Sequence, residues 1–110
     1  MSAITEDEVM AVIARIERGD LSVVPENDWD IAWGGETFKT ADGWTFVVFN
    51  DGGQWDYIEC VGAPDGRWLE SADISDTMTP RIDDYTPTSV GIARRWGLSE
   101  AGASILMRFS

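Results

Sequence analysis

The sequence predicts one α+β domain over residues 1–110: an N-terminal helix, an antiparallel β-meander of four to five strands, a long acidic loop, and one or two C-terminal helices. Apolar residues first recur with a helical period, and after residue 25 the period changes to two. Turn-forming residues then separate the apolar runs. At 110 residues with 44% hydrophobic residues, the chain is expected to fill a single core without metals or disulfides.

The first predicted element is an amphipathic helix. Thr5 and Glu8 have the spacing of a capping box, in which each side chain bonds the backbone of the other residue. Gly19 is the predicted end of the helix, and residues 21–25 are interpreted as an apolar connector. The apolar stripe of the helix contains Val9, Val12, Ile13 and Ile16.

The first predicted strands lie on either side of a glycine pair. Trp29, Ile31 and Trp33 alternate with other residues, and Gly34-Gly35 is the predicted hairpin turn into a strand that holds residues 37 and 38. Another turn is expected at residues 42–43.

The remaining strands complete the predicted meander. The run at 44–49 is too apolar on both faces for an exposed edge, so we expect it at the centre of the sheet. Polar turns at 50–53 and 63–66 bracket a strand at 55–61, and the second turn leads into a strand at 67–69.

The C-terminal part combines a polar segment with helical patterns. Residues 70–87 lack periodicity and are interpreted as a long acidic loop. Thr88 or Ser89 is a candidate cap for a helix that contains Trp96, and a second helix is expected to begin near Ser99.

Charge is the strongest compositional signal. Twenty Asp and Glu residues against eight Lys and Arg give a net charge of −12, and residues 21–70 hold ten of the acids with two of the bases. Such a field repels phosphate backbones and anionic lipids, so direct nucleic-acid or membrane binding is disfavoured and a basic partner is favoured. The alternative interpretation is that the charge only maintains solubility. A single cysteine and an acidic N-terminal segment lead us to expect a cytoplasmic protein.

Residue types for catalysis are scarce. The chain has no histidine, which excludes Ser-His and Cys-His nucleophiles and the usual zinc ligand. Cys60 lies beside Glu59, which is expected to raise the pKa of its thiol, so a structural role is predicted. Asp pairs at 28 and 30 or 51 and 56 offer oxygen ligands or an acid and a base, but such pairs arise by chance at this composition. We therefore expect no enzyme, cofactor or metal site.

The predicted site is a partner-binding rim of acids and aromatic rings. Trp55 follows the polar turn at 50–54 and stands among Asp51, Asp56 and Tyr57. Arginine forks onto carboxylates and stacks on indole rings, so a basic protein surface would fit this rim. The alternative is that the tryptophans are core residues. The predicted partner-binding residues are Asp28, Asp30, Asp51, Trp55, Asp56, Tyr57 and Asp65.

Four short motifs follow one another through the predicted sheet: DGW at 42–44, FND at 49–51, DY at 56–57 and PDGR at 64–67. Together they resemble the central pattern of a family of small uncharacterised bacterial proteins that share a domain of unknown function. The resemblance covers about residues 5–70. It implies the helix before the sheet and the meander, and it implies no activity.

These observations lead to a functional hypothesis. We expect a small acidic inhibitor that occludes a basic surface, such as a phage-encoded, anti-CRISPR-like antagonist or nucleic-acid mimic. The partner is then a basic nuclease, toxin or nucleic-acid-binding complex. The alternative is an immunity protein that neutralises a cognate bacterial toxin, and a third class is a carboxylate-dependent enzyme acting on small molecules.

Overall fold

The computed structural model describes residues 4–26, 33–51, 55–70 and 90–97. Within these ranges the chain has the predicted α+β architecture, with helix α1 (Glu6–Arg18), a five-stranded antiparallel sheet and a short helix α2 (Val90–Arg95). The strands are β1 (Val23–Pro25), β2 (Trp33–Thr40), β3 (Thr45–Asp51), β4 (Trp55–Gly62) and β5 (Trp68–Glu70). They neighbour one another in chain order, so β3 lies at the centre of the meander, as predicted.

Helix α1 begins and ends where its sequence indicates. The Thr5 hydroxyl oxygen accepts a hydrogen bond from the Glu8 backbone at 3.1 Å, and this half of the predicted capping box satisfies a free helix N–H group. Gly19 ends the helix with φ 83°, and its N–H group donates to carbonyls of the last turn. The predicted apolar stripe is buried against the sheet.

Two predicted turns are confirmed by their hydrogen bonds. Between β2 and β3, the Thr40 hydroxyl donates to Asp42 Oδ1 at 2.6 Å and accepts from the Trp44 backbone at 2.8 Å. Between β4 and β5, the Gly66 N–H group donates to the Ala63 carbonyl at 3.1 Å. Gly66 has φ 94°, a conformation in which a side chain would be strained.

The predicted hairpin turn at Gly34-Gly35 is wrong, because both residues lie inside β2. A Cβ atom on Gly35 would stand 2.8 Å from Val47 Cγ1. Gly35 therefore leaves room for the Val47 side chain of the neighbouring strand. Close approach of a neighbour is a common reason for glycine inside a strand, as a turn is for glycine between strands. The predicted connector at 21–25 also needs correction, since Val23–Pro25 forms edge strand β1.

One face of the sheet forms the core together with the helices. The described inner-face side chains of β2–β5 are buried. Trp96, the largest fully buried side chain among the described residues, packs against them from the turn that follows α2. Its ring meets Phe38 and Phe46 edge to face, with centroids 5.6 Å and 5.5 Å apart. Trp96 therefore links the C-terminal helix to β2 and β3.

The turn after α2 lies against the edge of the sheet. Gly97 has φ 77°, and a Cβ atom there would stand 2.5 Å from Pro25 Cδ. The predicted loop at 70–87 begins one residue too early, because Glu70 belongs to β5. The rest of that loop, the predicted strand residues 29 and 31, and the second C-terminal helix lie outside the described residues. In the described ranges, neither helix has the length and apolar character needed to span a membrane.

Candidate protein-interaction face

The sheet has a second face, opposite the core. Alternation along the strands places there the residues between the buried ones, as expected for an antiparallel sheet covered by helices on one side. Their side chains are half-buried or exposed. We call the part of this face on β3–β5 the outer-face patch; it consists of Phe49, Tyr57, Glu59, Cys60, Trp68 and Glu70.

An aromatic pair occupies the β3–β4 side of the patch. Phe49 and Tyr57 are register partners, and their rings stack with centroids 5.4 Å apart and an interplanar angle of 30°. Both residues are half-buried. This pair gives the patch an aromatic surface, and aromatic residues are enriched in protein interfaces.

A β-bulge re-aims Glu59. Val47 pairs with Cys60 and Val48 pairs with Ile58, so Glu59 is an extra residue of β4. Its Oε2 atom lies 3.5 Å from the position that a Cβ of Gly35 would take. The Glu59 carboxylate therefore reaches across β3 towards β2, over the space that the glycine leaves open.

Trp68 occupies the β5 side of the patch and is 57% exposed. Three consecutive atoms of its six-membered ring lie 3.0–3.2 Å from the point where a Cβ of Gly62 would stand. Such similar distances place the ring face over Gly62 rather than its edge. The opposite face of the indole accounts for the exposure.

Cys60 lies between the two acids of the patch. Its register partner on β5 is Glu70, and Glu59 precedes it in the bulge. Burial, followed by the negative charges of Glu59 and Glu70, raises the pKa of the Cys60 thiol. The direction agrees with the sequence prediction, and it keeps the thiol protonated and weakly nucleophilic near neutral pH.

Most other described acids have a cation beside them. Arg67 lies 3.0 Å from Glu8 on α1, Lys39 lies 3.3 Å from Glu26, and Arg15 lies 3.1 Å from Asp42. Hydrogen bonding from Thr40, with a further contribution from Arg15, holds the pKa of Asp42 below its usual range.

The two acids of the patch differ from these. None of the salt bridges among the described residues includes Glu59 or Glu70. Within the part of the chain that the structure describes, these two acids without a salt bridge lie on the same face as the exposed indole.

The structure places the predicted partner-binding residues in three groups. Tyr57 belongs to the outer-face patch. Asp65 lies exposed in the β4–β5 turn, where its Oδ2 atom is 2.8 Å from Arg67 Nε. This carboxylate is already paired, and hydrogen bonds from Arg67 lower its pKa.

The other predicted residues are only partly described. The backbones of Asp51 and Trp55 lie at one end of β3 and β4, where Asp51 pairs with Trp33 and Trp55 pairs with Asn50. Asp56 follows Trp55 on β4. The side chains of Asp51, Trp55 and Asp56, and all of Asp28 and Asp30, lie outside the described residues, so their part in the rim stays a prediction.

Sequence reasoning assigned only Tyr57 of the six patch residues to the site. It missed Phe49, Glu59, Cys60, Trp68 and Glu70. Trp68 and Glu70 flank Leu69, which is buried, so strict alternation was enough to assign both to the opposite face. Glu59 was harder to assign, because its orientation depends on a bulge that leaves no signal in the period.

Glu36, which lies outside the patch, is another residue that sequence reasoning did not single out. It lies two residues before Phe38 on β2 and shares the inner face with it, so its side chain is fully buried. Alternation from Phe38 predicts this position, although a carboxylate is rarely buried.

Metal binding has no geometric support in the part of the chain that the structure describes. Nowhere in 4–26, 33–51, 55–70 or 90–97 do three cysteine or acidic side chains come close enough together to hold an ion. The patch instead offers separated carboxylates, an exposed indole and a stacked ring pair, which suit recognition of cationic groups.

Comparison with known proteins gives one match. Searches of curated proteins and of solved structures found no match to this chain. A family model described as a domain of unknown function, DUF7693, matches residues 3–82, which include α1 and all five strands. The chain therefore belongs to the DUF7693 family of domains of unknown function.

Proposed function

We propose that the chain is a small acidic binding protein, not an enzyme, and that its outer sheet face covers a basic surface of a macromolecular partner. The observation that carries the proposal is the position of Glu59 and Glu70, which take part in no salt bridge with another described residue and lie on the face that also holds Trp68. A partner that supplies the missing cations gains both charge complementarity and aromatic contact.

The charge of the rest of the chain also supports binding to a basic partner. The net charge of −12 attracts basic partners over long range and speeds their association, while the patch determines where they bind. Neutral ligands gain nothing from such a field, and anionic groups such as carboxylates and phosphates are repelled by it. The patch therefore favours lysine and arginine side chains of another protein.

We propose that this binding inhibits the partner, because a protein that covers a basic surface blocks the access of nucleic acid to that surface. An anti-CRISPR-like antagonist of a nucleic-acid-guided complex and an immunity protein against a basic nuclease toxin both act in this way. A toxin gene adjacent to the coding gene favours immunity, whereas neighbouring phage genes favour the antagonist.

The test is quantitative affinity capture from host cells and competing strains with the wild-type chain and two variants. Glu59→Lys combined with Glu70→Lys reverses the patch, and Asp20→Lys combined with Glu26→Lys changes the net charge equally at two exposed acids that already have salt-bridge partners. Basic partners should be retained by the wild type and the control, weakened at least about tenfold by the patch variant, and released by salt. Partners that the patch variant captures undiminished, or that salt does not release, contradict the proposal.

A further inference from the structure

Trp68 has the geometry of a stacking platform. One face of its indole rests on Gly62, with ring atoms 3.0–3.2 Å from the glycine's Cβ position, and the residue is still 57% exposed. Any side chain at position 62 would displace the ring. The backbone of β4 therefore fixes the ring in the plane of the sheet, with its free face outward.

A carboxylate stands next to this platform. Glu70 follows Trp68 by two residues on β5, so both side chains leave the same face about 7 Å apart along the strand. Glu70 is exposed and takes part in none of the salt bridges among the described residues. A planar cation on the indole thus has a hydrogen-bond acceptor within reach of its edge.

These features fit arginine better than lysine. A guanidinium group is planar, stacks on an aromatic face and presents several N–H donors in its own plane, so it can stack on Trp68 and donate to Glu70 together. An ammonium group is compact and strongly hydrated, and it gains less from the flat ring. We propose that Trp68, supported by Gly62, and Glu70 form an arginine-selective subsite of the outer-face patch. This inference rests on the proposed function and specifies the partner's contacting residue.

The subsite is tested with two short synthetic peptides of equal length and charge, one with arginines and one with lysines at the same positions. Binding is measured by titration calorimetry at low salt. The wild-type chain should bind the arginine peptide roughly two- to fivefold more tightly, the range expected for one exposed cation–π contact. Trp68→Ala should bring this ratio close to one, and Glu70→Gln should reduce it and weaken both peptides.

Val24→Ala is the matched control. Val24 is 63% exposed on β1, so its replacement removes an equally accessible apolar side chain outside the subsite and should leave the ratio unchanged. Thermal unfolding of each variant verifies that the fold is intact, and both exposed positions are expected to tolerate alanine.

The outcomes separate this inference from the proposed function. Equal affinity for the two peptides, weakened by Glu59→Gln and Glu70→Gln, overturns arginine selectivity and leaves the acidic binding face standing. An arginine preference that survives Trp68→Ala places the selective contact elsewhere and also overturns the subsite. Failure of both peptides to bind, or binding that the glutamine variants do not change, overturns the proposed function itself.

Discussion

The two faces of the sheet use the same residue types for opposite purposes. On the inner face Trp96 is fully buried between Phe38 and Phe46, whereas on the outer face Trp68 rests on Gly62 and is 57% exposed. The difference comes from what lies opposite each ring: two phenylalanine rings in one case, a glycine backbone in the other. One indole contributes to folding, and the other is available for binding.

Charge follows the same division. Glu8 on α1 is 3.0 Å from Arg67 and so ties the helix to the start of β5, but Glu59 and Glu70 belong to none of the salt bridges among the described residues. The Glu8 carboxylate therefore connects two elements of the fold. Glu59 and Glu70 form no such connection to another described residue, so their replacement should affect binding far more than stability.

The largest expected effect separates the two tryptophans. Trp96→Ala should lower the free energy of unfolding by about 3–5 kcal/mol, because it empties a space bordered by Phe38 and Phe46. Trp68→Ala is the matched control and should cost less than about 1 kcal/mol, since the exposed ring leaves no buried cavity. Urea unfolding of both variants provides the comparison, and similar midpoints for the two would contradict the assignment of the faces.

The periodicity of buried residues explains why the sequence predicted the inner face of the sheet better than the outer face. The apolar period of α1 and the run at 44–49 determined which elements pack and which strand is central, because burial acts on every second or every third and fourth residue. Gly34-Gly35 was misinterpreted as a turn because glycine serves turns and close strand contacts alike. Only the proximity of Val47 distinguishes these two uses.

The candidate site could be predicted from the sequence only in small part. Acids beside aromatic rings were expected at residues 51–57, and Tyr57 is the member of that group whose side chain the structure describes and places in the patch. The outward positions of Trp68 and Glu70 were available from alternation around Leu69, but the proposal that this strand binds a partner depends on tertiary facts. These facts are the stacking of an indole on Gly62 and the separate pairing of other acids.

A smaller effect tests how the C-terminal helix is held on the core side. Gly97→Ala should destabilise the chain by more than about 1–2 kcal/mol, because φ 77° strains an alanine and its Cβ would stand 2.5 Å from Pro25 Cδ. Gly66→Ala is the control, with φ 94° but no atom within 4 Å of the new Cβ, so it measures the backbone strain alone. If chemical denaturation gives equal losses for both variants, the contact between Gly97 and Pro25 has no energetic role.

The smallest effect examines the outer face through its own thiol. The raised pKa of Cys60 means that its thiolate fraction at pH 8 is below that of an ordinary cysteine, and negative charge at Glu59 and Glu70 accounts for part of the shift. Glu70→Gln lowers this pKa towards its ordinary value, so alkylation by iodoacetamide at pH 8 should become about two- to threefold faster. Asp20→Asn removes an equal charge just after the C-terminal end of α1, beside Arg18, and should leave the rate unchanged. Rates measured from pH 7 to 9 should rise with pH in every variant, and the Glu70→Gln curve should be displaced to lower pH.

Superimposed rate curves for the wild type and Glu70→Gln would contradict this prediction. They would mean that the Glu70 carboxylate points away from Cys60 and that the two side chains do not interact across β4 and β5 in the patch.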